Sequence, residues 1–105
     1  MIIYSVTIHI QKDVETEWLQ FMQEKHIQEV INTGYFTDAA IRRVLVPLET
    51  SYSTYNMEYV TDHIEKYDAY LKNAATNMQK DVMNRFAGKF TADRKVYEEI
   101  GNFCS

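Results

Sequence analysis

The sequence predicts one α+β domain: a four-stranded antiparallel sheet with two helices on one face, in the order βαββαβ. Three observations point to it. Four stretches carry the alternation or β-branched content of strands, two stretches with helical spacing lie between the first and second and between the third and fourth, and a glycine follows each helical stretch, at Gly34 and Gly88. The 105 residues are 46% hydrophobic and 25% charged, an ordinary globular balance, and a chain of this size buries roughly 65% of its unfolded surface in a single core.

The first strand is Met1–Ile10, where Tyr4, Val6, Ile8 and Ile10 point to one face and Ser5, Thr7 and His9 to the other. Asp13 is placed to cap the next element, and Glu15 and Glu17 suit a first helical turn. From Val14 to about Thr33 the spacing is helical, with Trp18, Leu19, Met22, His26 and Val30 on one face. Gly34 can adopt positive φ and so ends the helix.

Tyr35–Leu48 reads as the second strand. Its apolar "RVLVPL" has both parities, as if both faces were covered, while Pro47 confines it to an edge or a strand end. After the turn "ETS", the stretch "YSTYNMEYV" alternates Tyr55, Met57 and Tyr59 against Thr54, Asn56 and Glu58. Asp62 and Glu65 form a capping box for the second helix. Its apolar positions are Ile64, Tyr67, Leu71, Ala74, Ala75, Met78, Val82 and Phe86. "KFTADRKVYEEI" is the fourth strand, with Phe90, Ala92, Val96 and Ile100 in phase.

This is the split-βαβ, ferredoxin-like arrangement. Right-handed crossovers place both helices on one face, and the usual strand order 4-1-3-2 leaves the second and fourth strands as edges. The opposite face, with Ile3, Ser5, Thr7, His9, Thr54 and Asn56, then has no cover from its own chain. A second copy packed sheet against sheet would bury it, so the sequence predicts a homodimer through this open face.

Several classes are excluded. A net charge of −4 argues against nucleic-acid or anionic-membrane binding. The third strand of an RNA-recognition fold would carry glycine and basic residues beside its aromatics, and "STYNMEY" has neither. The single cysteine, Cys104, cannot form an internal disulfide, and His9, His26 and His63 lie on separate elements without metal-ligand spacing. There is no phosphate loop, nucleophile elbow or zinc signature, so no cofactor is predicted. The start lacks a basic n-region, and no apolar run reaches the ~20 residues of a membrane span, which together predict a cytoplasmic protein.

"MIIYSVTIHI", "EWLQFMQEKHIQEVINTGYF", "YNMEY" and "RFAGKF" resemble, over nearly the whole chain, a small bacterial family of unknown function within the dimeric α/β-barrel superfamily. The "W…M…HI…V…TG.F" pattern is the most specific part. Gln28 stands where that family usually carries a proline after "HI", and "ADRKV" where it carries an "FRT"-like end strand. The resemblance implies two sheets facing each other as a barrel, with a pocket in each protomer between sheet and helices. Cofactor-independent monooxygenases, haem-degrading enzymes, isomerases and small-ligand sensors share that scaffold, and fold alone does not choose among them. The haem-degrading arrangement is not reproduced, because Trp18 and His26 lie on the same helix.

The candidate catalytic residue is His26, an imidazole near neutrality that can move a proton or hold a ligand carbonyl; the alternative is a core histidine bonded to backbone or to a tyrosine. Trp18, Met22, Tyr55 and Tyr59 are candidate ligand-binding walls, or plain core. Arg43, turned toward the helices, would clamp a carboxylate; turned outward, it or Arg42 would pair with Glu58 or a partner's acid. Two functions fit: a small-ligand enzyme of the cofactor-independent monooxygenase or isomerase type, and a non-catalytic dimer that binds a small molecule or a protein.

Overall fold

The computed structural model describes residues 1–105 and contains four strands and three helices. Strand β1 is Ile2–Gln11; a single 3₁₀ turn, Lys12–Val14, leads into helix α1, which runs as Glu15–Phe21, Met22–His26 and Ile27–Asn32. Strands β2 (Asp38–Arg43) and β3 (Tyr52–Thr61) follow, then helices α2 (Ile64–Asn73) and α3 (Ala75–Phe86), then strand β4 (Phe90–Glu98). All pairings are antiparallel and the strand order is β2-β3-β1-β4, so β2 and β4 are the edges. This is the α+β ferredoxin-like fold that the element order predicts.

Strand alternation and helix spacing put one set of side chains between sheet and helices. Tyr4, Val6, Ile8 and Ile10 of β1 and Tyr55, Met57 and Tyr59 of β3 are buried there with Trp18, Met22 and Val30 of α1. Tyr4 is the hub of an aromatic cluster, with ring centroids 5.1 Å from Tyr67, 5.9 Å from Tyr59 and Tyr70 and 6.0 Å from Phe36. Gly34 and Gly88 hold φ of 88° and 74°, the left-handed conformation that stops a helix without a Cβ penalty.

Five local expectations change. Helix α1 is not uniformly α-helical: Met22–His26 forms a π turn, whose wider i→i+5 hydrogen bonding brings a four-residue step closer to one full turn. That keeps Trp18, Met22, His26 and Val30, all spaced by four, on one buried stripe instead of letting them spiral away.

The second helix is two helices. Ala74 leaves helical geometry (φ −135°, ψ −30°), and the change of direction lets Ala75, Val82 and Phe86 face the core while Tyr70, rather than Leu71, fills it from α2. Ile64 and Leu71 are exposed.

Neither predicted capping acid caps. His63 and Val14 hold the N-cap positions without side-chain bonds; Asp62 instead pairs with Lys66 at 2.8 Å, and Asp13 with Lys89 at 2.9 Å.

Strand β2 ends at Arg43, well short of Leu48. Pro47 has no N–H for the ladder, and Leu45, Val46 and Leu48 stand in solvent rather than between covered faces. Likewise β4 ends at Glu98, so Ile100, 93% exposed, is not part of its apolar phase. No helix is long and apolar enough to cross a membrane.

The sheet face away from the helices is laced with polar bonds. Asn56 Nδ2 donates to Ser5 Oγ (2.8 Å) and Thr7 Oγ1 (3.1 Å), His9 Nδ1 and Thr54 Oγ1 are 2.9 Å apart, and Arg42 pairs with Glu58. These groups satisfy one another, which makes the face more polar in effect than its sequence suggests.

Candidate functional site

A cavity of about 300 Å³ lies between the sheet and the helices. Strands β1, β3 and β4 supply its floor, α1 one wall, and α2 and α3 the other. Fourteen of its seventeen lining residues are hydrophobic; the three that are not are His26, Gln79 and Arg94. Ligand sites have this composition, an apolar cleft with a few placed polar groups.

Helix α1 delivers the first wall. Trp18, Met22, His26 and Val30 all line the cavity, one per turn, and the π turn holds Met22 and His26 in line. Trp18 is fully buried, yet its indole Nε1–H has no hydrogen-bond partner. A buried donor without an acceptor costs about 1–3 kcal/mol, so Trp18 carries an unsatisfied polar group within the core.

His26 is 9% exposed and its ring lies 5.7 Å from that of Phe21. Burial pushes its pKa below the ordinary 6.5, opposed only in part by the negative charges of Glu29 and Asp81, which favours the neutral ring. No hydrogen bond contributes to that shift.

The sheet supplies phenols. Tyr4 and Tyr59 line the floor and Tyr70 the far wall. Burial, followed by mutual proximity of the phenols, raises Tyr59 and Tyr70 well above the usual tyrosine range, so both remain protonated hydroxyl donors at any ordinary pH. The cavity thus holds several neutral donors, one neutral imidazole and one cation.

The six sequence candidates divide. Trp18, Met22, His26 and Tyr59 meet at the cavity; Tyr55 and Arg43 do not line it. Tyr55 packs its ring 5.0 Å from Trp18 on the side away from the cavity and donates its hydroxyl to Glu15 Oε2 (2.6 Å). Arg43 Nε donates to that same hydroxyl at 3.1 Å, and Ser53 Oγ donates to Glu15 Oε1 at 2.7 Å. The Tyr55 and Ser53 hydrogen bonds hold the Glu15 carboxyl below its usual range despite opposing desolvation. These four residues tie α1 to β2 and β3 and fix the angle at which Trp18 enters the core.

Arg94 is the cavity residue that sequence reasoning missed. It pairs opposite Val6, whose side chain faces the helices, so strand alternation turns Arg94 the same way. The signal was present: an arginine within the Phe90, Ala92, Val96 phase of an edge strand. Gln79 and Met83, on α3, escaped notice because α3 was read as the tail of a longer helix.

No curated protein matches the chain in sequence. A dimeric ferredoxin-like protein from an uncultured marine organism superposes with a TM-score of 0.74 at 13% identity, covering 97% of each chain. An ethyl tert-butyl ether degradation (EthD) family protein from Bacillus halodurans gives 0.66 at 17% identity, covering 95% of this chain and 100% of that one. A mutant of SnoaB, a cofactor-independent oxygenase from Streptomyces nogalater, gives 0.68 at 10% identity, covering 99% and 98%. Identities this low establish the shared fold and nothing finer. The family described as Domain of unknown function (DUF4286) matches residues 1–100, and this chain belongs to it.

Proposed function

We propose that the protein is a homodimer joined through its open sheet face, and that each protomer binds a small, largely apolar molecule in the cavity, where His26 removes a proton from it. The observation that carries the reading is an apolar cavity lined by His26, whose pKa burial holds below its ordinary value, and by Trp18, whose buried Nε1–H has no partner. A ligand carbonyl accepting from Trp18 would acidify its neighbouring C–H. His26 would take that proton, and the electron pair would delocalise onto the held oxygen. Proton removal of this kind begins both a double-bond isomerisation and an oxygenation without cofactor. The π turn under Met22 and His26 supports the reading, since such turns recur at functional sites.

The dimer rests on the open face and on neighbours that are themselves dimeric ferredoxin-like proteins. A non-catalytic binding protein is the second reading, favoured by the lack of a group bonded to His26 that would fix its tautomer.

The test uses β-tetralone, a bicyclic aromatic ketone with acidic C–H bonds. Its addition is expected to move the indole N–H resonance of Trp18, the single tryptophan, and the protein is expected to accelerate exchange of the ketone's α-hydrogens for deuterium. His26→Asn should abolish the exchange and keep the binding. Binding without exchange in the unaltered protein selects the non-catalytic reading. Met78→Trp, which fills the cavity from α3, should lower affinity at least about tenfold while the fold persists.

A further inference from the structure

The balance of charge around the cavity identifies a class of ligand. Building on the cavity as a ligand site, we infer that its ligand is an aromatic or alkyl carboxylate, with the acid group on Arg94 at the β4 rim and the apolar body against Trp18, Met22 and Val82. No aspartate or glutamate lines the cavity, and Arg94 is its one permanent cation.

Two of the other three arginines are neutralised, Arg42 by Glu58 and Arg85 by Asp81; the third, Arg43, is held by the Tyr55 hydroxyl that also bonds the Glu15 carboxylate. Arg94 takes part in none of the protein's ion pairs. Its neighbours in sequence cannot compensate it, because alternation turns Asp93 and Lys95 to the other face, where Asp93 lies 3.6 Å from His9. Arg94 and Tyr70 of the far wall border the same cavity.

A guanidinium presents a planar fork that matches a carboxylate with two parallel bonds, whereas a neutral oxygen uses one. The rest of the wall, fourteen hydrophobic residues of seventeen, offers no second cation, so Arg94 is the one group that can pair a full negative charge. An anion is therefore held at the rim with its tail inward, which brings the tail's first carbons toward Trp18 and His26.

The experiment compares naphthoate with naphthamide, which share shape and differ in charge. Binding is followed through the Trp18 indole N–H resonance, so occupancy of the cavity is read separately from an anion resting on the surface. The unaltered protein is expected to bind naphthoate about fivefold or more tightly than naphthamide, as a partly exposed charge pair allows. Arg94→Gln should erase that preference and leave the affinity for naphthamide unchanged. Equal affinity of the unaltered protein for both compounds overturns the inference and leaves the cavity reading intact. The same holds if β-tetralone moves the Trp18 resonance and neither naphthalene compound does. If none of the three moves it, the cavity reading fails as well.

Discussion

Trp18→Ala is expected to destabilise the protein by about 3–5 kcal/mol, the range for emptying a large aromatic site from a packed interior. Trp18 is fully buried, its ring lies 5.0 Å from that of Tyr55, and it joins helix α1 to strand β3 at the centre of the core. The ring also borders the cavity, so the lower part of that range is the better expectation: one of its edges already lacks packed neighbours. Trp18→Phe should cost less than about 1.5 kcal/mol, because it keeps an aromatic ring in place and removes an N–H that has no partner. Urea unfolding of both variants at one protein concentration checks the pair, since self-association of the proposed kind would add to apparent stability. A cost below about 1 kcal/mol for Trp18→Ala would contradict its position as the keystone between helix and sheet.

Thr7→Glu is expected to separate the two copies of the proposed sheet-to-sheet dimer. Thr7 lies mid-strand on the open face, opposite Asn56 on one side and Asp93 on the other, and accepts a 3.1 Å bond from Asn56. In a two-fold sheet-to-sheet dimer each added carboxylate would be buried against a surface that already carries Asp93 and Glu58, and would meet its symmetry copy. The dimer dissociation constant should rise at least about a hundredfold, a few kcal/mol, measurable by sedimentation velocity. The monomeric variant should keep its far-ultraviolet circular dichroism, since the helices pack on the other face. A variant that stays dimeric at low concentration would place the interface elsewhere, for which the exposed Leu45, Val46 and Leu48 segment is the alternative patch.

Much of this architecture was legible in the residues. The alternation of Tyr4, Val6, Ile8 and Ile10, the two positive-φ glycines and the edge position of the strand leading to Pro47 fixed element order and sheet topology, because each reflects a local steric or hydrogen-bonding rule. What escaped depends on tertiary contacts. The break at Ala74 has no breaker residue; it arises because α2 and α3 must bury different faces against a twisted sheet. The π turn keeps the composition of an α-helix and differs only in hydrogen-bond register.

At the site, periodicity found the α1 stripe of Trp18, Met22 and His26, since a helix face is a property of spacing. It could not tell that Tyr55 and Tyr59, two residues apart on one strand face, would part company. Glu15 and Arg43 draw Tyr55 into a polar tie at one end of the sheet, while Tyr59 stays among Tyr4 and Phe36. Arg94 went unnoticed because it is an exposed residue on an edge strand, and only the register opposite Val6 shows that it borders the cavity.

Neutral His26 has a consequence for pH. Its pKa is lower folded than unfolded, so between those values the unfolded chain binds more protons, and stability rises with pH across that interval. The contribution is complete above the ordinary value of 6.5 and is lost as pH falls through the depressed folded value. The most direct measurement of the central claim is a ¹⁵N-detected titration of the His26 ring, made on the free protein and on the protein saturated with naphthoate. A histidine that lines a ligand cavity should titrate below 6.5 when free and shift its midpoint further down when the naphthyl body displaces water from beside it. A midpoint at the ordinary value, or one that does not move while naphthoate is bound, would contradict the account and return His26 to the core as a packing residue.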